Sequence, residues 1–128
     1  MRSIMVPAFL VPETAEVSNG HGSAVAVESG MLQLTLGIHR VVEQESLEVA
    51  IWGSSDGEDW GKAPIAQFPQ KFYCGTYSIF LDLTRSPHVR WIRAQWKMNR
   101  WGRGSLKPLF GFYLFAQPAK ALALTAAG

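Results

Sequence analysis

Apolar residues in this chain recur at every second position, and that period excludes an amphipathic helix for most of its length. In "SLEVAIWGS", Leu47, Val49 and Ile51 share one side, while Glu48, Ala50, Trp52 and Ser54 share the other. Successive side chains of a strand point to opposite faces, so this is a half-buried strand. "TYSIFLDL" sets Tyr77, Ile79, Leu81 and Leu83 against Ser78, Phe80 and Asp82. "HVRWIRAQWKM" carries Ile92, Ala94, Trp96 and Met98 on its better core face, with Val89, Trp91, Arg93, Gln95 and Lys97 opposite. "MLQLTLGIHRVV" places Leu32, Leu34, Leu36, Ile38 and, at its end, Arg40 on one side. "PLFGFYLFAQ" is apolar on both sides, Leu109, Tyr113 and Phe115 alternating with Phe110, Phe112 and Leu114. That pattern predicts a strand covered on both faces.

Turn signals separate these runs: Asn19-Gly20, Ser29-Gly30, Asp56-Gly57, Cys74-Gly75, Ser86-Pro87 and Gly102 to Gly104. With a short strand in "SAVAVES", the pattern predicts an all-β chain, an antiparallel β-sandwich of about eight strands in two sheets. Residues 1–128 read as a single domain. The proline-broken segment 1–12, "MRSIMVPAFLVP", reads as an extended arm free to drape over a neighbouring subunit, since its prolines bar it from a central strand. Segment 118–128, with "AKALALTAAG", reads as a flexible tail or a short helix.

At 128 residues the chain can bury about two-thirds of its unfolded surface, enough for one core. No window approaches the roughly 18 consecutive apolar residues of a membrane span, so membrane insertion is not expected. The single cysteine, Cys74, precludes an intrachain disulfide and favours a reducing compartment. The N-terminal apolar run, interrupted by Pro7 and Pro12, lacks the form of an export signal. The expected location is therefore the cytoplasm as the chain is made, or a virion. Residues 1–64 hold three Lys or Arg against nine Asp or Glu, a net −6, whereas residues 65–128 hold nine against Asp82 alone, a net +8. Such a split suits a polyanion partner or the meeting of unlike surfaces on two subunits.

Motifs for chemistry are few. Asp56, Glu58 and Asp59 in "GSSDGEDWG" are weak candidates for a metal site, because their spacing lacks the alternating ligand ladder of a calcium loop. Asp56 and Gly57 read better as a structural turn, with Trp60 folded back over the sheet. His21, His39 and His88 show no metal-ligand spacing, and Cys74 has no base beside it, so it reads as a buried or incidental thiol. No nucleophile elbow, phosphate loop or dinucleotide fingerprint is present, so no cofactor and no catalysis are expected. The candidate contact residues lie in "RWIRAQWKMNRWGRGSLK": Trp91, Arg93, Arg100, Trp101 and Arg103 interleave cations with rings able to stack on sugars or bases. Trp101, set among glycines in a loop, is the first choice.

In order along the chain, "LEVAIWGSSDGEDW", "YSIFLDL" and "VRWIRAQW" resemble the discoidin (coagulation-factor type C) domains and the wider galactose-binding-like jelly rolls. The matching residues are Ser54 or Ser55, Asp56, Gly57 and Trp60, then Arg90, Trp91, Ile92 and Arg93, within residues 30–117. The resemblance implies an eight-stranded jelly roll whose loops bind glycans, lipids or proteins without catalysis. The chain departs from the pattern in having no cysteine pair to clamp its termini. The expectation is a non-catalytic binding or structural protein, a subunit of a homo-oligomeric or virion-like assembly such as a phage tail or capsid accessory protein. Its partners would be further copies of itself or other assembly proteins. A lectin-like carbohydrate-binding module is the alternative, and single-stranded nucleic-acid binding through the basic half ranks last.

Overall fold

The computed structural model describes residues 6–41, 45–100 and 109–119, with Arg100 described as strand backbone only. Among these residues the chain is an antiparallel β-sandwich. Nine strands follow in order: β1 (Ala8–Glu16), β2 (Gly20–His21), β3 (Val25–Ala26), β4 (Met31–Val41), β5 (Glu45–Ser54), β6 (Ala66–Gln67), β7 (Gly75–Asp82), β8 (Trp91–Arg100) and β9 (Phe110–Pro118). A 3₁₀ turn, η1 (Leu83–Arg85), follows β7. One sheet has the order β1-β9-β4-β7; the other runs β2-β8-β5-β6, with β3 also paired to β8. Three of the nine strands have only two residues, so the long strands match the runs of alternating residues in the sequence.

The alternation sorts side chains as expected. Leu47, Val49 and Ile51 of β5, Ile92, Ala94 and Trp96 of β8, and Leu32, Leu34, Leu36 and Ile38 of β4 are buried in one core. At the end of β4, however, a bulge lets His39 and Arg40 together oppose Gly111. Arg40 therefore turns to solvent instead of following Ile38 inward, and Val41 packs against the core opposite Phe110.

Strand β9 corrects a second expectation. Phe110, Phe112, Leu114 and Ala116 fill the core, but among the described residues no further layer covers the opposite face. Tyr113 and Phe115 stay half-buried there, screened by the ring of Phe9 at centroid distances of 6.0 and 4.9 Å. Residues 8–12 likewise do not form a free arm. They open β1, which pairs with β9 as an edge strand, and a register shift between Phe9 and Val11 buries both Leu10 and Val11. Pro12 is tolerated because it lies on that edge, near a second shift before Thr14. Residues 1–5 of the expected arm and 120–128 of the expected tail lie outside the described residues.

Both halves of the sequence contribute to both sheets, so among the described residues the charge split is interleaved in space. β1 and β4 alternate with β9 and β7, and β5 lies along β8, where Glu48 faces Lys97 directly. The sheets meet where Trp96 of β8 packs edge to face on Phe112 of β9, with centroids 5.4 Å apart. Phe112 is fully buried, so Phe112→Ala should cost about 3–5 kcal/mol, read as a lowered midpoint in urea unfolding.

Candidate functional site

The segment after β5 is a turn that closes on itself. The buried Ser54 hydroxyl accepts the N–H groups of Asp56 (3.2 Å) and Gly57 (2.9 Å) and donates to Asp56 Oδ1 (2.9 Å). That same oxygen accepts the N–H groups of Glu58 (2.8 Å) and Asp59 (2.9 Å), and Asp59 Oδ1 accepts from Gly61 N–H (3.0 Å). Gly57 has φ 82°, a conformation that favours glycine. Its open flank faces Trp91 closely, since a Cβ there would meet the indole at 3.6 Å. Asp56 Oδ1 is thus occupied by donors within the turn, and the geometry supports a connection. Among the described residues no three His, Cys, Asp or Glu gather as a metal set.

The turn is clamped to the sheet through Trp60, whose ring lies 4.5 Å from the guanidinium carbon of Arg93. Arg93 Nε is buried without a hydrogen-bond partner, and the ring face supplies its electrostatic contact. Strand register places Arg93 opposite Trp52 and Trp91 opposite Ser54. Trp52, Trp60, Trp91 and Arg93 therefore cluster at one end of the outer face of the five-stranded sheet, all partly buried. Beside Trp52 is a depression of about 180 Å³ bounded by Glu48, Gln67, Gln95, Lys97 and Pro64. It joins an aromatic wall to two amides and an opposed acid–base pair.

The outer face of the four-stranded sheet has a different character. Phe9, Phe115, Thr35 and Ser78 lie side by side across its four strands, and Tyr113 covers Gly37, where a Cβ would strike the tyrosine ring at 2.2 Å. Phe9 is 48% exposed and Phe80 51%. A shallow depression of about 530 Å³ lies among Phe9, Glu13, Thr35, Tyr113, Phe115 and Gln117. Charge is confined to the rim, where His39 Nδ1 approaches Glu13 Oε1 at 3.5 Å.

Of the residues singled out from sequence, Trp91 and Arg93 come together with the Asp56–Gly57–Trp60 turn. Trp101 and Arg103 lie outside the described residues, as does the side chain of Arg100. Cys74 is exposed just before β7, so of the two readings, buried or incidental, the structure removes the buried one. Two features were not anticipated. The aromatic outer face was obscured because β9 is apolar on both sides. Glu45 resembles a solvated strand end in sequence but is buried, and its Oε1 accepts the N–H of Leu109 at 2.8 Å, pinning the start of β9. The chain matches no family model and no curated protein sequence.

The turn's hydrogen bonds predict a pH response. The N–H groups of Asp59 and then Glu58, followed by the Ser54 hydroxyl, hold the Asp56 carboxyl below its ordinary value of 3.8. The folded value is depressed, so this contribution is complete above the ordinary value and is lost as pH falls through the folded one. Asp82 carries a second lowered carboxyl, held first by the Thr84 hydroxyl and then by its N–H. Asp56→Asn should therefore flatten, without abolishing, the loss of stability between about pH 5 and pH 2, measured by urea midpoints across that range.

Proposed function

We propose that this β-sandwich is a non-catalytic structural protein that works by binding, as a subunit of a homo-oligomeric or virion-like assembly. The observation that carries this reading is the outer face of the four-stranded sheet, where Phe9, Tyr113 and Phe115 form an aromatic cluster, Phe80 is exposed apart from it on β7 beyond Gln33 and Thr35, and charge among the described residues lies at the rim. Aromatic groups enriched at the centre and charge depleted from it are the composition of an interface core. The discoidin-like jelly-roll resemblance agrees with a role in binding, and its signature turn is spent on holding β5 to β8. Light scattering should detect concentration-dependent oligomers, and Phe9→Ser with Phe115→Ser should weaken them; a strict monomer at high concentration would end the reading.

A specific observation favours a second reading, a lectin-like module. Trp52 beside Gln67, Gln95, Glu48 and Lys97 joins a stacking surface to groups that bond hydroxyls. A glycan array on which Trp52→Ala loses signal would support it, and no binder above background would remove it. The polyanion reading has less support, because Arg93 is committed to Trp60 and Lys97 faces Glu48.

A further inference from the structure

We infer that copies of this chain join edge to edge through β7, antiparallel about a twofold axis, making one continuous sheet. The inference rests on the assembly reading above and adds to its aromatic face a second contact surface.

Edges of sheets expose unpaired backbone groups, and proteins blunt them with short strands, prolines, bulges or charge. Three edges of this sandwich are blunted in those ways. β1 carries Pro12, Glu13, Glu16 and two register shifts; β2 and β3 have two residues each; and β6 is a two-residue strand. β7 has none of these devices. It is eight residues long, pairs with β4 without a bulge, contains no proline, and is uncharged from Gly75 to Leu81.

The phase of its hydrogen bonds shows what this edge offers. Leu83 N–H donates to Gly30 O on the β4 side at 2.8 Å. Backbone groups alternate in direction along an antiparallel strand. Leu81, Ile79 and Tyr77 therefore bond toward β4, and the N–H and C=O groups of Thr76, Ser78 and Phe80 point to the free edge. Among the described residues no backbone partner meets them.

The occupant that fits is a second β7. Centring the twofold on Ile79 sets Ser78 opposite Phe80, Thr76 opposite Asp82 and Tyr77 opposite Leu81. Every outward-bonding residue then meets another, and no like charges face each other. The half-exposed Ile79 side chains meet at the axis, at the edge of the core. The outer faces of the two copies become continuous across the paired edges, with Phe80 of each beside Ser78 of the other. An edge of this length is at the small end of specific interfaces, below about 1,200 Å², so the pairing should be reversible.

The test is sedimentation equilibrium over a concentration series on the wild-type chain, Ser78→Pro, Phe80→Lys and, as control, Val17→Lys at an exposed site away from β7. Ser78 N–H faces the free edge, so proline there leaves the β4 pairing intact; far-UV circular dichroism checks that each variant folds. The expected result is a wild-type dimer weakened at least about tenfold by both β7 variants and unchanged by the control. Amide exchange at Ser78 and Phe80 should slow as wild-type concentration rises. A monomeric wild type overturns both the edge pairing and the assembly reading. An oligomer that folded Ser78→Pro and Phe80→Lys leave intact overturns the edge pairing alone and leaves assembly to the aromatic face.

Discussion

The fold depends on one strand arriving last and landing in the middle. β9 is hydrogen-bonded to β1 on one side and β4 on the other, so the first and last strands of the described chain become neighbours. Its Phe112 meets Trp96 of the opposite sheet edge to face. Trp96 in turn is steered by its own indole N–H, which donates to Ser18 O at 3.0 Å. Burying that polar tip without a partner would cost free energy, and the bond also fixes which way the ring presents its edge. The contact therefore couples β1 and its following loop, β8 and β9 in one place. Because the pairings of β9 with β1 and β4 are distant in sequence, closing them carries a loop-entropy cost.

Such a topology explains what sequence reasoning recovers. A period of two reports which side chains share a face, and it located Leu47, Val49 and Ile51, Ile92, Ala94 and Trp96, and Leu32, Leu34, Leu36 and Ile38 correctly inside. It cannot report what lies beyond that face. β9 reads as doubly covered because Tyr113 and Phe115 are large and aromatic like Phe112, and what distinguishes them is that no third layer lies over them among the described residues. Bulges are equally silent. Nothing in "GIHRVV" marks where the register slips, yet that slip puts Arg40 in water and Val41 against the core. Proline carries a clearer message, but an ambiguous one: Pro12 excludes a central strand and leaves both a free arm and an edge strand open. The structure takes the edge.

The candidate site was legible where it was local. Asp-Gly followed by tryptophan specifies a turn from residues within eight positions of one another, and Ser54, Asp56 and Asp59 complete it with bonds that reach no further. What the turn rests on was not legible, because the Arg93–Trp60 stack and the Trp91 contact cross from another strand. Glu45 is a sharper case. A carboxylate at the start of a strand resembles any solvated cap until the N–H of Leu109 is brought to it by tertiary structure.

The two outer faces then divide the chemistry of the surface. On the five-stranded sheet, strand register sets unlike residues opposite one another, Glu48 with Lys97 and Trp52 with Arg93, and the Arg93 guanidinium stacks on Trp60. On the four-stranded sheet the rings of Phe9 and Phe80 remain about half exposed, and their neighbours Thr35, Ser78, Gln33 and Gln117 carry no charge to repel an apolar partner. Leaving such rings in water forgoes roughly 25 cal/mol for each Å² of apolar surface that could be covered. A second sheet or a continued sheet recovers that energy without desolvating an ion, whereas a polyanion would gain nothing from the same face. The two faces thus differ physically in how much aromatic area each leaves uncovered within the subunit.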